Sequence, residues 1–457
     1  MLAAPLAITW MAATLLVLVD GRRRWVAWAG VTALLVHLAS LLVLAYDVHG
    51  GTGVEGVTGG WPQGVGIRLR ADALGLVFAV LSSGVLTAAL VHEALRGVRS
   101  RAFPALVLFL ATGLTGLFLT ADVFNFFVFF ELSMIAAYVL SVYGEERKQI
   151  GGALIFAVVN LLGSFLFLIA VGAMYHVTGT LDMRAIAARF DTVEPASAIM
   201  IAVTVFVAFG VKLGLFPFHF WLPPLYTGAR PAVAAILAGA LANIGSYGLI
   251  RFGAGILPNE LEFGALVVLL LGAASIVYGS MQALSRAAVG EVLAYSAIGQ
   301  AGYILVALAV GGPVGYAAAV LYSVVNSLNK VLLFLAIGLR GWLVGAAFVV
   351  GAFSVAGVPP TAGFFAKVAM FQTGVASTHP ILLVALIFVG SALSFVYMFQ
   401  IYQHEYWRTE QAGPVSAPVR RALVAGLAVV VVGLGVWPEP LLELSRRAAE
   451  VLPGGRG

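Results

Sequence analysis

The chain has no cysteine. That excludes disulfides, cysteine-ligated iron–sulfur clusters and thiol catalysis, so any redox chemistry would fall to a partner. Charge is scarce: 10% of the 457 residues are charged, against about 25% in an ordinary soluble protein. Lysine is nearly missing, with four among 25 basic residues. No GxGxxG follows a strand and no Walker pattern exists, so no phosphate loop is expected. No His/Asp/Glu spacing suits a catalytic metal, and no Ser/His/Asp set is arguable. What fills the chain is apolar: 61% hydrophobic residues and a mean hydropathy of +1.04. The reading is a polytopic membrane protein in a lipid bilayer, with no bound cofactor or metal. The formal charge of +5 does not suggest nucleic-acid binding, because the arginines sit at the ends of apolar runs.

A spanning helix needs about 20 apolar residues. That length predicts an all-α fold of about fourteen spans, at roughly 2–19, 25–46, 73–94, 103–120, 122–142, 151–175, 196–220, 231–250, 263–283, 292–310, 316–338, 343–376, 380–402 and 419–437. The first run has no charge ahead of it and no clear cleavage site, so it reads as a span rather than a removed signal. With the N-terminus outside, the inner connections carry 14 Lys+Arg and the outer ones 8, in line with the positive-inside rule. The 53 glycines fit helices packed closely through small residues. The excess of arginine over lysine fits a bacterial source and hence the inner, cell membrane.

Three of the four lysines lie in apolar sequence: Lys212 in VAFGVKLGLFPFHFWLP, Lys330 in SVVNSLNKVLLFLAIG and Lys367 in PPTAGFFAKVAMF. An amine in a bilayer core costs about 2.5–3.5 kcal/mol on insertion scales, so it is kept only with a partner or a task. Two of these lysines sit beside helix-breaking prolines. The seventh span carries Lys212 and then meets Pro217 and Pro223–Pro224; the twelfth meets Pro359–Pro360 and then carries Lys367. Freed backbone groups in a bilayer must be buried in protein or line a wet cavity. Broken spans at matching places in two halves point to an inverted-repeat transporter. The expected division is 1–102 for three leading spans, 103–252 for a first five-span repeat (spans 4–8), 253–411 for a second (spans 9–13), and 412–457 for the last span and tail. The bland alternative is two proline kinks that only shape packing.

Glu131 lies mid-span in FNFFVFFELSMIAAYVL and is the natural partner for Lys212. Closing such a pair favours the charged amine; opening it in apolar surroundings favours the neutral amine and releases the proton. A static buried ion pair is the plainer reading. Lys330 and Lys367 would continue the line, with Asn326 one turn before Lys330 on its face. Lys330 snorkelling toward an interface is the competing account. His219, just past Pro217, is placed to relay protons. His37 reads as a hydrogen-bonded core histidine, the pairs His92–Glu93 and His404–Glu405 as interfacial, and Asp122 as a helix cap.

The runs TADVFNFFVFFELSMIAAY, VKLGLFPFHFWLP, SYGLIRF, LAYSAIGQAGY, NKVLLFLAIG, VAGVPPTAGFFAKVAMF and VWPEPLLELSRRAAEVL together resemble the antiporter-like subunits shared by Mrp-type Na+/H+ antiporters and complex I. The D-type subunits of the Mrp antiporters are the best fit, through the PEPL stretch and the FNxFVFFEL run. The resemblance implies fourteen helices, inverted repeats and a hydrated mid-membrane axis of charged residues. By position it gives the fifth-span glutamate to Glu131 and the lysines of spans 7, 11 and 12 to Lys212, Lys330 and Lys367. The chain also departs from the family: Asn243 stands where a lysine or histidine is common, and Asn326 stands where a histidine is usual. AVGE, ending in Glu291, precedes LAYS, and the link around Leu339–Trp342 is short.

The leading expectation is a proton-translocating subunit of a multi-subunit Na+/H+ antiporter, a transporter rather than an enzyme. Its partners would be other membrane subunits, protons, Na+ and lipid. The axis would run through Glu131, Lys212, Lys330 and Lys367, with His219, Asn243 and Asn326 as further relays. Two alternatives stay open. One is a pumping module of a quinone-reductase-like or hydrogenase complex. The other is a scaffold subunit that has lost conduction, motivated by the neutral Asn243.

Overall fold

A computed structural model describes residues 2–48, 53–60, 66–144, 147–407 and 417–453. Of the basic residues counted above, Arg408 and Arg456 lie outside the described residues. The first helices are α1 (Ala4–Val17), α2 (Arg24–Val48), α3 (Ala73–Arg96), α4 (Phe103–Leu119), α5 (Val123–Ser141) and α6 (Arg147–Thr178). A small α7 (Met183–Phe190) leads to α8 (Pro195–Leu213) and α9 (Leu222–Gly228). The next span is built from α10 (Pro231–Ile236) and α11 (Asn243–Gly248), with π-helical turns at Leu237–Leu241 and Leu249–Ala254. Then come α12 (Pro258–Phe263), α13 (Ala265–Leu284), α14 (Val289–Val310), α15 (Gly312–Ala336), α16 (Trp342–Ala356) and α17 (Ala362–Val375). The chain closes with α18 (Pro380–Tyr402), α19 (Pro418–Val436) and α20 (Glu439–Glu450).

The protein is an all-α polytopic membrane fold. Among the described residues, eleven helices are long and apolar enough to cross a membrane, and Ala4–Val17, Phe103–Leu119 and Trp342–Ala356 are shorter apolar helices. The segment before α3 contains a short antiparallel hairpin of β1 (Val54–Val57) and β2 (Arg68–Ala71). Arg68 and Glu55 of the hairpin pair with each other and reach Asp182 and Arg184 at α7. Asn259 of α12 donates to Asp191 just past α7 at 2.8 Å. The hairpin, α7 and α12 therefore share one face of the protein.

Helix starts on this face follow from the sequence. Asp72, Asp122 and Asp182 each accept the backbone N–H three residues on, at 2.9, 2.7 and 3.0 Å, capping α3, α5 and α7. Small residues let helices touch. A side chain at Gly272 of α13 would lie 2.9 Å from the Gly302 carbonyl oxygen of α14, which is why this pair tolerates no larger residue there.

Both proline-marked spans are broken. The α8 helix stops at Gly214 (φ 71°), whose N–H donates to the carbonyls of Gly210 and Val211. The α16 helix stops at Gly357 (φ 85°), whose N–H donates to Phe353 and Ser354. A 3-10 turn, Phe218–Trp221, then leads into α9, and α17 resumes after Thr361. The long twelfth run is thus two helices. The π turns flanking Asn243 carry no proline and were not legible in the apolar pattern.

Candidate functional site

Lys212 lies in the last turn of α8, directly before the break, and is 5% exposed. Its ammonium donates to the Asn160 carbonyl at 2.9 Å and to Ser164 Oγ at 3.1 Å, both on α6, and sits 4.2 Å from the Phe130 ring centre. Glu131 is close by on α5 but makes no ion pair with Lys212 among the described residues; its Oε1 is buried without a hydrogen bond. The Glu131–Lys212 pair, read from the sequence as one that closes and opens, is open in this structure, with Phe130 and the α6 groups against the ammonium. A cavity of about 10 Å³ adjoins Lys212, Asn160 and Trp221, close to the smallest space that holds one water.

Asn243 stands at the start of α11 between the two π turns and is 3% exposed. Its amide donates to the Gly239 carbonyl at 2.9 Å and to Ser82 Oγ of α3 at 3.4 Å, and its Oδ1 accepts from Ser327 Oγ of α15 at 2.9 Å. A π turn frees backbone groups and re-aims side chains. Here it presents an amide to hydroxyls on two other helices.

Helix α15 is the hub. Ser327 faces Asn243, while Lys330, one turn on, lines a second cavity of about 10 Å³ with Asn326, Ser296 and Gln300. Gln300 of α14 accepts from Tyr322 of α15 and donates to Tyr397 Oη of α18 at 3.3 Å. Tyr397 also bonds Ser296 at 2.9 Å and Ser394 at 3.0 Å. Tyr322 stacks on Tyr303, with ring centres 5.0 Å apart. Lys367 of α17 ends this chain. Its ammonium is buried without a hydrogen bond among the described residues and lies 3.4 Å over the Tyr303 ring and 5.3 Å from that of Tyr322. Its stem packs against Gly357 at the break, where any Cβ would overlap Lys367 Cγ.

The sequence reading missed Ser82, Ser296, Gln300, Tyr303, Tyr322, Ser327 and Tyr397. A signal for part of this set existed: Ser296, Gln300 and Tyr303 recur at i, i+4 and i+7 and so share one helical face. Ser82 gave none, because its contact with Asn243 crosses 161 residues.

Not every expected residue joins the line. His219 is half-buried, and its ring lies against Phe216 and Tyr278, 4.5 Å from the latter. Its Nδ1 has no hydrogen bond among the described residues, so no direct bond links it to Lys212. His37 is a core histidine bonded to Ser83 and Thr115 at 2.9 and 3.0 Å. His92 and Glu93, expected at an interface, are 1% and 0% exposed, with Glu93 accepting from Tyr143 at 2.7 Å. No group of His, Asp or Glu is placed to hold a metal among the described residues.

A separate charged cluster closes the hairpin face. Asp72 accepts from Arg251 at 2.6 Å, and Arg251 donates on to Tyr247, whose hydroxyl reaches the Phe118 carbonyl. Burial opposes the charge on Asp72, yet the guanidiniums of Arg251 and Arg70 and the Gly75 N–H hold its carboxyl below the ordinary value.

Lysines strung through a polytopic helical fold, beside two broken helices, define a class: the antiporter-like membrane subunits. Residues 120–342 match the family described as NADH:quinone oxidoreductase/Mrp antiporter, TM. The D-type subunit of the Na(+)/H(+) antiporter of Alkalihalophilus pseudofirmus is 30% identical over 439 residues, covering 90% of this chain and 88% of that protein. A chain of the Mrp complex from Dietzia sp. DQ12-45-1b superposes with a TM-score of 0.88 at 27% identity, covering 99% of this chain and 96% of that one. A chain of respiratory complex I from Thermus thermophilus follows at TM-score 0.78 and 26% identity, covering 97% and 99%. The chain belongs to the family of D-type subunits of Mrp Na+/H+ antiporters.

Proposed function

We propose that this chain translocates protons as the D-type subunit of a multi-subunit Na+/H+ antiporter in a bacterial inner membrane. The observation that carries the reading is the succession of three buried ammoniums, Lys212, Lys330 and Lys367, with hydroxyls, amides and single-water cavities beside or between them. Charge in such a place is costly, and a fold that only needed packing would use apolar residues. Protons would pass from the Glu131–Lys212 site through Ser82, Asn243 and Ser327 to Lys330. From there they would pass through Gln300 and the tyrosines to Lys367. Asn243 bridges without storing charge, so its step needs water or hydroxyl hopping. Closure of Glu131 on Lys212 and reopening would load and unload that end. The two repeats, 103–252 and 253–411, belong to the same proposal and are supported by the matched glycine stops at Gly214 and Gly357. Other antiporter subunits would supply the cation path, and the chain itself would need no cofactor.

The test is cation-dependent proton flux in vesicles carrying the assembled complex. Lys212→Ala and Glu131→Ala should each abolish it. Wild-type flux from either variant overturns the assignment. The likeness to the complex I chain supports a second reading, a redox-driven pumping module. Neighbouring genes for quinone-reductase or hydrogenase subunits in place of small antiporter subunits would favour it.

A further inference from the structure

A large cavity lies away from the lysine series. It is a trough of about 1320 Å³ between α2, α3, α15, α19 and α20, walled by residues such as Leu42, Leu81, Leu328 and Leu427. Along α3 it runs from Ala73 to Ala88, about 22 Å at 1.5 Å per residue. At the hairpin face its mouth is lined by Arg70, Arg184, Arg446 and Arg447, with Glu450 as the one carboxylate in the lining.

The acids around this mouth are shared. Glu55 serves Arg68, Arg70 and Arg184, Asp182 serves Arg68, Asp72 serves Arg70 and Arg251, and Glu443 serves Arg446 and Arg447, while Arg446 also reaches Glu450. Guanidinium N–H groups outnumber these acceptors, since each arginine presents five donors. Arg70 Nε is buried and makes no hydrogen bond among the described residues; its ion-pair partners Glu55 and Asp72 lie at the longer distances of 3.4 and 3.6 Å.

Apolar walls do not hold water, and the volume exceeds the roughly 300–1,000 Å³ of a small-molecule site. The trough also runs along membrane-spanning helices, with its basic mouth where headgroups lie. We propose that it binds an anionic glycerophospholipid, with the phosphate on the arginines and an acyl chain along α3. Guanidinium pairs bidentately with phosphate oxygens, and the apolar stem of the trough accepts the hydrocarbon. The chain would lie against one face of α3 while the opposite face carries Ser82 to Asn243. The bound lipid thus backs the helix that completes the central junction.

Gly84 offers a clean block. A Cβ there meets nothing within 4 Å and Gly84 lines the trough, so the side chain of Gly84→Leu starts into the open trough. The experiment is native mass spectrometry of the assembled complex exchanged into phosphatidylglycerol or phosphatidylcholine vesicles and then extracted. The wild type should retain phosphatidylglycerol several-fold over phosphatidylcholine. Gly84→Leu should lose it, and Arg184→Gln should reduce retention several-fold. Equal retention of the two lipids, or wild-type phosphatidylglycerol retention by both variants, overturns the proposal. So does a photo-crosslinker at Val430 that captures a neighbouring polypeptide in place of lipid. The wild-type lipid comparison decides by itself if a variant fails to assemble.

Discussion

The two ends of the lysine series keep a buried ammonium by different means. At Lys212 the groups are a carbonyl and a hydroxyl, with Glu131 within reach. At Lys367 no acceptor among the described residues bonds the ammonium, and two tyrosine rings cradle it instead. A carboxylate that approaches and withdraws suits a site that loads and unloads, whereas an aromatic cradle attracts a cation without offering a base. In the proposed path the α8 end would then act as a switch and the α17 end as a fixed station. The breaks beside them match in form, but Lys212 precedes its glycine stop and Lys367 follows, so each lysine meets its break from the opposite side.

This difference can be broken or sharpened, beginning with the largest effect. Lys367→Met removes the ammonium but keeps a long apolar stem, and proton flux should fall to background; flux within twofold of wild type would mean the series ends earlier. A control away from both ends is Asp72→Asn. Removing one partner of the buried Asp72–Arg251 pair should cost about 3–5 kcal/mol of stability, read as a lower unfolding temperature, with the same relative loss in Lys212 and Lys367 backgrounds. The sign with pH follows from the depressed carboxyl. Its contribution is complete above the unfolded value of about 3.9 and is lost as pH falls through the lower folded value.

Tyr303 separates ring from hydroxyl. A desolvated cation–π contact contributes about 2 kcal/mol, so Tyr303→Leu should lower flux by more than about tenfold. Tyr303→Phe keeps the ring and should stay near wild type. Equal losses in both would make the hydroxyl the working group and dissolve the contrast with Lys212. The smallest effect belongs to the junction. Ser327→Ala removes the hydroxyl that meets Asn243 Oδ1 and the Ser323 carbonyl, each bond worth about 1 kcal/mol, and should slow flux several-fold, whereas Asn243→Leu, which removes the bridges to Ser82 and Ser327, should slow it more. An unchanged rate in Asn243→Leu would show that protons bypass α11.

Much of this was legible in the sequence, for identifiable reasons. Apolar run length and arginine placement announce the helices, and Pro217 and Pro359–Pro360 announce the breaks, because proline acts locally. The lysines stand out because lipid makes charge expensive. Other features depend on tertiary contact. The π turns around Asn243 arise within an unbroken apolar pattern. The Ser82 and Ser327 contacts join helices far apart in sequence. Glu131 and Lys212 pair by chemistry alone, and the structure places Phe130 and Asn160 against the ammonium first.

Whether the two ends form one path rests on Lys330, which lies between them on α15. The deciding measurement is cation-dependent proton flux in vesicles carrying the fully assembled complex with Lys330→Ala. Background flux with normal assembly is the predicted result. Wild-type flux would contradict a continuous path and leave Lys212 and Lys367 as separate sites.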